Sequence, residues 1–356
     1  MKLLITGICG FVGSSIALQL QEESADVQIF GLDNLSRRGS ELNWGPLRER
    51  GIKLFHGDAR LSTDIDALPP VDWVIDAAAN PSVLAGLQGA SSSRQVIDHN
   101  LYGTVNILEY CRRAKSGLIL LSTSRVYSID QLNRLPLAEG ETRFEFLPSK
   151  VDLSGLTAQG VGERFSCAPP ISLYGSTKLC SEALALEFSH AFGFPVWINR
   201  CGVLAGAGQF GTAEQGIFSF WIHAWKAGRP LRYIGFEGRG LQVRDALHPR
   251  DLASLIKKQL RRTDQSQIER TVNIAGGLSN SMSLLELSAW CSDRFHPGSV
   301  QQDTAPRPFD VPWLVLDTNL AHQSWGWSVS TKLSMILEEI AQHAETNPNW
   351  LTYSRG

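Results

Sequence analysis

Tyr174 and Lys178 stand four residues apart in Tyr174-Gly175-Ser176-Thr177-Lys178, at the head of a segment with helically spaced apolar residues through Phe192. On a helix that interval places phenol and ammonium on one face. An ammonium there stabilises phenolate and draws the tyrosine pKa toward neutrality, giving a base for a sugar hydroxyl as hydride leaves the same carbon. Thr123, in Ser122-Thr123-Ser124-Arg125-Val126-Tyr127, offers a hydroxyl to the reacting oxygen. Hydride needs an acceptor, and the N-terminus has room for one. Gly7, Gly10 and Gly13 recur at three-residue intervals between an apolar run and a helical pattern, the arrangement that seats a pyrophosphate on a helix N-terminus. Asp33 follows Gly13 by 20 residues at a strand end, where its carboxylate accepts the adenosine ribose hydroxyls and repels a 2′-phosphate. That favours NAD over NADP; Arg37 and Arg38, close behind, are the opposing feature.

These groups require a frame. Apolar runs at Lys2–Ile5, Val27–Leu32, Ile52–His56, Trp73–Ile75 and Leu118–Leu121 read as strands, separated by helical segments. That alternation predicts an α/β fold, a doubly wound parallel sheet. Ligands bind such sheets at the carboxyl ends of the strands, where Asp33 and Thr123 fall. A helix is expected over residues 94–113. Residues 128–171, rich in Pro, Gly, Ser and Glu, form a long excursion of the kind that carries function in compact domains. The boundaries expected are a dinucleotide-binding domain over 1–195, including the catalytic helix, and a smaller substrate lobe over 196–356 that returns some strands to the main sheet.

At 356 residues and a net charge of −2, the chain has no basic excess for nucleic acid, so substrate charge must be met locally. No apolar stretch is long enough to span a membrane and no leader is apparent, so a soluble, cytoplasmic protein is expected. Six scattered cysteines lack CxxC pairs and histidines at ligand spacing, which predicts free thiols and no metal site.

Taken together, these motifs resemble the extended short-chain dehydrogenase/reductase family of NAD-dependent nucleotide-sugar epimerases and dehydratases, over essentially the whole chain. The resemblance implies that Gly7, Gly10, Phe11, Val12 and Gly13 bind NAD with the Asp33-Asn34-Leu35-Ser36-Arg37 segment, in which Asp33, Asn34, Ser36 and Arg37 are ligands. It implies the same role for Asp58, Ala59, Ala77, Ala78, Ala79, Asn100, Cys201 and Val203, and makes Thr123, Tyr174 and Lys178 the catalytic set, the last two also touching the cofactor. Gln242-Val243-Arg244-Asp245-Ala246-Leu247-His248 and Arg307-Pro308-Phe309-Asp310 resemble the family's substrate segments. On that basis Arg244 and Arg307 are expected to grip a diphosphate from opposite sides of a cleft, with Gln242 and Asp310 beside them. Bidentate guanidinium forks suit that task. Helices 94–113 and 174–192 would pair with their copies in a homodimer.

Within the family, Gln209-Phe210-Gly211-Thr212-Ala213-Glu214-Gln215-Gly216 and Arg125 are most similar to the CDP-paratose 2-epimerase branch, implying substrate roles for Arg125, Gln209, Gln215 and Gly216. The 4,6-dehydratases carry Asp-Glu after the catalytic threonine, and Ser124-Arg125 cannot do that work. Asp76, Ala205 and Cys201-Gly202-Val203 depart from the branch. The expected reaction is transient oxidation by NAD, Tyr174 acting as base. A 4-epimerase or reductase of the same family, or a non-catalytic NAD-binding sensor, are the other readings the residues allow.

Overall fold

The computed structural model describes residues 1–23, 26–87, 92–148, 153–266 and 268–353. Seven parallel strands form the main sheet: β1 (Lys2–Thr6), β2 (Gln28–Asp33), β3 (Lys53–His56), β4 (Trp73–Asp76), β5 (Gly117–Thr123), β6 (Val196–Cys201) and β7 (Thr271–Ile274), in the order β7-β6-β5-β4-β1-β2-β3. Strand order reverses between β1 and β4. A crevice opens there above the carboxyl ends, where such sheets bind ligands.

The sheet is apolar on both faces because helices cover both. On one face Ile16 and Ala17 of α1 (Phe11–Glu23) pack with Leu252, Leu255 and Ile256 of a later helix, Pro249–Leu260. On the other, Ile107, Leu108 and Cys111 of α2 (Gly103–Ala114) pack with Ala185 of α3 (Ser172–Phe192). Full burial of one such Ile or Leu contributes about 1.5–3 kcal/mol, so the two layers hold the strand ends firmly.

The helix expected over 94–113 begins at Ser93 and is not uniform. Its stretch Asp98–Tyr102 is a π turn, which frees the Asn100 carbonyl to accept from Thr104 Oγ1 at 2.9 Å and turns the Asn100 side chain inward. Such insertions frequently mark functional sites.

The second lobe is built on a four-stranded sheet of Val203–Leu204, Val243–Leu247, Ser281–Ser283 and Trp313–Leu314. Its core gathers Trp221 and Ile222 of the helix Ile217–Lys226 with Leu287, Cys291, Ile336, Leu337 and Ile340. The excursion 128–171 folds into a short helix, Ile129–Leu132, and two small hairpins; its residues 149–152 lie outside the described residues. Arg200 of β6 pairs with Glu182 of α3 at 2.7 Å, tying the sheet to the helix that carries Tyr174.

Candidate active site

A cleft of about 1100 Å³ runs along the carboxyl ends of β1, β2, β4, β5 and β6 and into the second lobe. Thr123 is the last residue of β5, and Tyr174 sits in the first turn of α3. Tyr174 is 7 % exposed, and its hydroxyl is hydrogen-bonded with Thr123. Thr123 Oγ1 also accepts from the Arg125 backbone N–H at 3.2 Å, which fixes its rotamer. Burial pushes the Tyr174 phenol up to about 12, against the opposing pull of the Thr123 hydrogen bond. Sequence spacing alone makes the Lys178 charge the expected influence on this phenol. In the protein by itself desolvation governs it instead, because both side chains are enclosed.

Lys178 is 2 % exposed. Burial lowers its pKa, while Asp76, Glu182 and Cys201 raise it. Among the described residues its Nζ makes no hydrogen bond, so a buried ammonium with three donors is left for a ligand. Asp76 is itself locked: Thr6 Oγ1 donates to it at 2.6 Å and accepts from the Ala77 and Ala78 N–H groups at 3.1 Å each. Thr6 thereby sets the path of Ala77-Ala78-Ala79 along the cleft, a role its position before Gly7 did not reveal.

The N-terminal end of the cleft fits a dinucleotide. Gly7 has φ +62°, and a Cβ there would stand 2.9 Å from Ala78 Cα; at Gly13 it would stand 2.3 Å from the Gly7 carbonyl. A side chain at either position would push the loop or α1 out of place. Gly7, Gly10, Phe11, Val12 and Gly13 line the cleft with Asp33, Asn34, Ser36, Arg37, Asp58, Ala59, Ala77, Ala78, Ala79, Cys201 and Val203. Asp33 accepts from the Cys9 N–H at 2.8 Å and the Leu35 N–H at 2.8 Å, so it holds the glycine loop in shape. A carboxylate has about four acceptor positions, leaving capacity for ribose hydroxyls. Asp58 is gripped by Arg60 at 2.6 Å and by Asn34 Nδ2 at 3.0 Å, which holds it well below the usual carboxylate range.

Asn100 stands behind the cleft. Its amide accepts from Asn80 N at 2.7 Å and donates to Asn80 O and Thr177 Oγ1 at 3.1 and 3.2 Å. It therefore fixes the loop carrying Asn80, which does line the cleft. No feature of Asn80 in the sequence announces this.

The second-lobe side is crossed by the strap Gln209–Gly216. Arg37 Nη1 donates to Gln215 Oε1 at 2.7 Å, and Arg37 Nη2 donates to the Phe210 carbonyl. Ser82 Oγ donates to Glu214 at 3.1 Å, and Arg307 Nη2 donates to the Ala213 carbonyl at 3.3 Å. Phe210 stacks on Trp350, centroids 5.1 Å apart, while Trp350 Nε1 donates to the Gln209 carbonyl at 2.9 Å. Arg37 is thus committed to the strap rather than poised for a 2′-phosphate.

Beneath the strap, Gln209 and Gln242 are anchored by their NH2 groups to the Leu204 and Ile234 carbonyls, both at 2.9 Å. Among the described residues each leaves its Oε1 buried without a partner. Arg244 donates to Val243 O at 2.7 Å, Val311 O at 2.9 Å and Asp310 Oδ1 at 3.0 Å. Arg244 and Arg307 do not face each other across the cleft as expected. Asp310 lies in the turn that begins at Arg307, its N–H donating to the Arg307 carbonyl at 3.3 Å, and so brings both arginines together. Among the described residues no group of His, Cys, Asp and Glu side chains is placed to hold a metal.

The glycine loop, the Thr123–Tyr174 pair and the arginines of the second lobe line one cleft along a parallel sheet, an arrangement suited to hydride transfer between a nucleotide cofactor and an anionic substrate. The model of the NAD dependent epimerase/dehydratase family matches residues 3–275, and the chain belongs to that family. It is 31 % identical over 301 residues to CDP-paratose 2-epimerase of Salmonella typhi, covering 81 % of this chain and 82 % of the relative. Among solved structures it is similar to UDP-glucuronic acid 4-epimerase from Bacillus cereus, solved with UDP-glucuronic acid and NAD. The TM-score is 0.76 at 22 % identity, over 97 % of this chain and 99 % of that one. UDP-glucose 4-epimerase from Thermotoga maritima superposes with a TM-score of 0.77 at 20 % identity, over 98 % and 99 %. The protein is thus an NAD-dependent enzyme of the nucleotide-sugar epimerase/dehydratase family. NAD supplies the hydride acceptor, and Lys178, Asp33 and the glycine loop are the residues that would hold it.

Proposed function

We propose that the enzyme inverts one carbon of a nucleotide-diphosphate sugar by transient oxidation, at C2 of a CDP-hexose. The observation that carries this reading is the turn after β5. Arg125 occupies the place beside Tyr174 where skeletal acid–base chemistry would need a carboxylate. The described cleft carboxylates nearest the substrate half are otherwise engaged, Asp310 with Arg244 and Glu214 with Ser82. Only redox at one carbon is left for the machinery to perform. Tyr174 takes the hydroxyl proton as the C–H bond gives up hydride; the ketone turns over, hydride returns to the opposite face of the carbonyl carbon, and the tyrosine returns the proton to its oxygen. The oxygen stays hydrogen-bonded to Thr123 throughout, and no net redox change results. The likeness to CDP-paratose 2-epimerase supports the choice of base and carbon.

Incubating the purified protein with CDP-, UDP- and dTDP-hexoses in deuterated water, followed by NMR, tests the proposal. Inversion at C2 of a CDP-sugar without solvent deuterium is expected. Loss of water from the sugar, or deuterium built into its skeleton, would defeat it.

We also place the enzyme in the cytoplasm, on its six free thiols, and as a homodimer through the 93–114 helix and α3. Tyr102 and Phe192 support the second assignment, being 60 % and 50 % exposed on those segments. Sedimentation at micromolar concentration should return twice the chain mass; a monomer would remove the assignment. Among the described residues no helix is long and apolar enough to cross a membrane.

A further inference from the structure

Arg125 is a cleft cation that the protein leaves poorly satisfied. Among the described residues its side chain makes one hydrogen bond, from Nη1 to the Phe309 carbonyl at 3.5 Å, too long to count for much. Among the described residues no carboxylate pairs with it; the nearest, Asp310, is taken by Arg244 at 3.0 Å. The guanidinium nevertheless sits in the cleft, half-buried, with Arg244 and Arg307 close enough to repel it. A partly desolvated cation beside two others, with Asp310 shared among them, is stabilised when a ligand brings negative charge. Arg125, Arg244 and Arg307 outnumber Asp310 and Asp245, the carboxylates whose charge reaches them, and the net positive charge left suits an anionic diphosphate.

Position adds what charge cannot. The Arg125 backbone N–H is bonded to Thr123 Oγ1 and its side chain reaches Phe309, in the turn that carries Arg307 and Asp310. The cationic strip therefore runs from Arg307 through Arg244 and ends at the catalytic turn, against Tyr174. In a sugar nucleotide the diphosphate is attached at C1. C2 is bonded to that carbon, whereas C4 lies across the ring. A phosphate site adjoining the tyrosine suits reaction at C2; reaction at C4 needs phosphate held a ring's width away.

Resting on the nucleotide-sugar reading above, we infer that Arg125 grips the phosphate adjoining the sugar and thereby selects C2 as the reacting carbon. Arg125 is then a specificity-determining residue, distinct from Arg244 and Arg307, which hold the diphosphate from the far side.

Calorimetry of CDP against CMP on the NAD-loaded protein isolates the second phosphate. Wild type should prefer CDP, and Arg125→Met should shrink that preference by roughly ten- to a hundredfold, the worth of a charged hydrogen bond. Binding of CMP and NAD content should not move, which also certifies the fold. Arg125→Lys should restore part of the preference. Given CDP-glucose deuterated at C2 or at C4, wild type should pass label to its cofactor from C2. An unchanged CDP preference in Arg125→Met would overturn the grip, and transfer of label from C4 would overturn the regiochemistry. Wild type that binds neither CDP nor UDP would fail the underlying reading instead.

Discussion

Replacing Arg37 by methionine should release NAD. The guanidinium donates to Gln215 Oε1 at 2.7 Å and to the Phe210 carbonyl, and these bonds fasten the strap to the segment that begins with Asp33. Two hydrogen bonds from an ionised donor contribute about 3 kcal/mol at the lower end of their range. Methionine preserves the apolar stem, so the loss falls on the bonds. The Ser82–Glu214 and Arg307–Ala213 contacts and the Phe210–Trp350 stack remain, so the strap stays folded but opens more easily. At about 1.4 kcal/mol per factor of ten, NAD should leave roughly a hundredfold faster. The assay loads both proteins with radiolabelled NAD, chases with excess unlabelled NAD and follows retained label. Release at the wild-type rate would refute the idea that this latch keeps the cofactor in. Tight NADP binding by wild type would refute the companion argument that Arg37 is unavailable to a 2′-phosphate.

Tyr174→Phe should lower turnover by ~10²- to 10⁴-fold while NAD stays bound, and Thr123→Val should cost less. Because burial raises the Tyr174 pKa to about 12, substrate oxidation should quicken with rising pH through the neutral range, and a slope surviving in Tyr174→Phe would remove the tyrosine from the step. Arg244→Ala and Arg307→Ala should each weaken CDP binding by roughly ten- to a hundredfold with NAD unaffected, measured by calorimetry; losing NAD instead would reverse the assignment of the lobes. His223 is held down to about 4 by burial, with the hydrogen bond from its Nδ1 to the Ser219 carbonyl at 2.8 Å opposing and His343 adding to the effect at 3.0 Å. The unfolded chain therefore binds a proton that the folded one refuses, so stability present above pH 6.5 should fall as pH drops toward 4, by up to about 1.4 kcal/mol per unit. Urea midpoints across that window should fall less steeply for His223→Gln; an identical slope would exclude this pair.

The order of residues determined the frame because its signals are local. Apolar runs of strand length, a glycine triplet and an acid 20 residues on are read within one strand-turn-helix unit, and steric constraints at Gly7 and Gly13 leave few alternatives. Tyr174 and Lys178 were legible for the same reason, since one turn of helix fixes their relation. What the sequence by itself could not supply was anything made by residues far apart. The bond between Arg37 and Gln215 spans 178 positions and that between Arg244 and Asp310 spans 66. These partners meet only after the second lobe has packed. The phenol pKa belongs to the same class, because desolvation is a property of the finished enclosure and outweighs a neighbour that sequence spacing makes conspicuous. Whether an arginine serves as ligand, latch or counter-ion is decided by which carboxylates and carbonyls the tertiary fold brings to it, and Arg125 stands out because the fold brings it almost none.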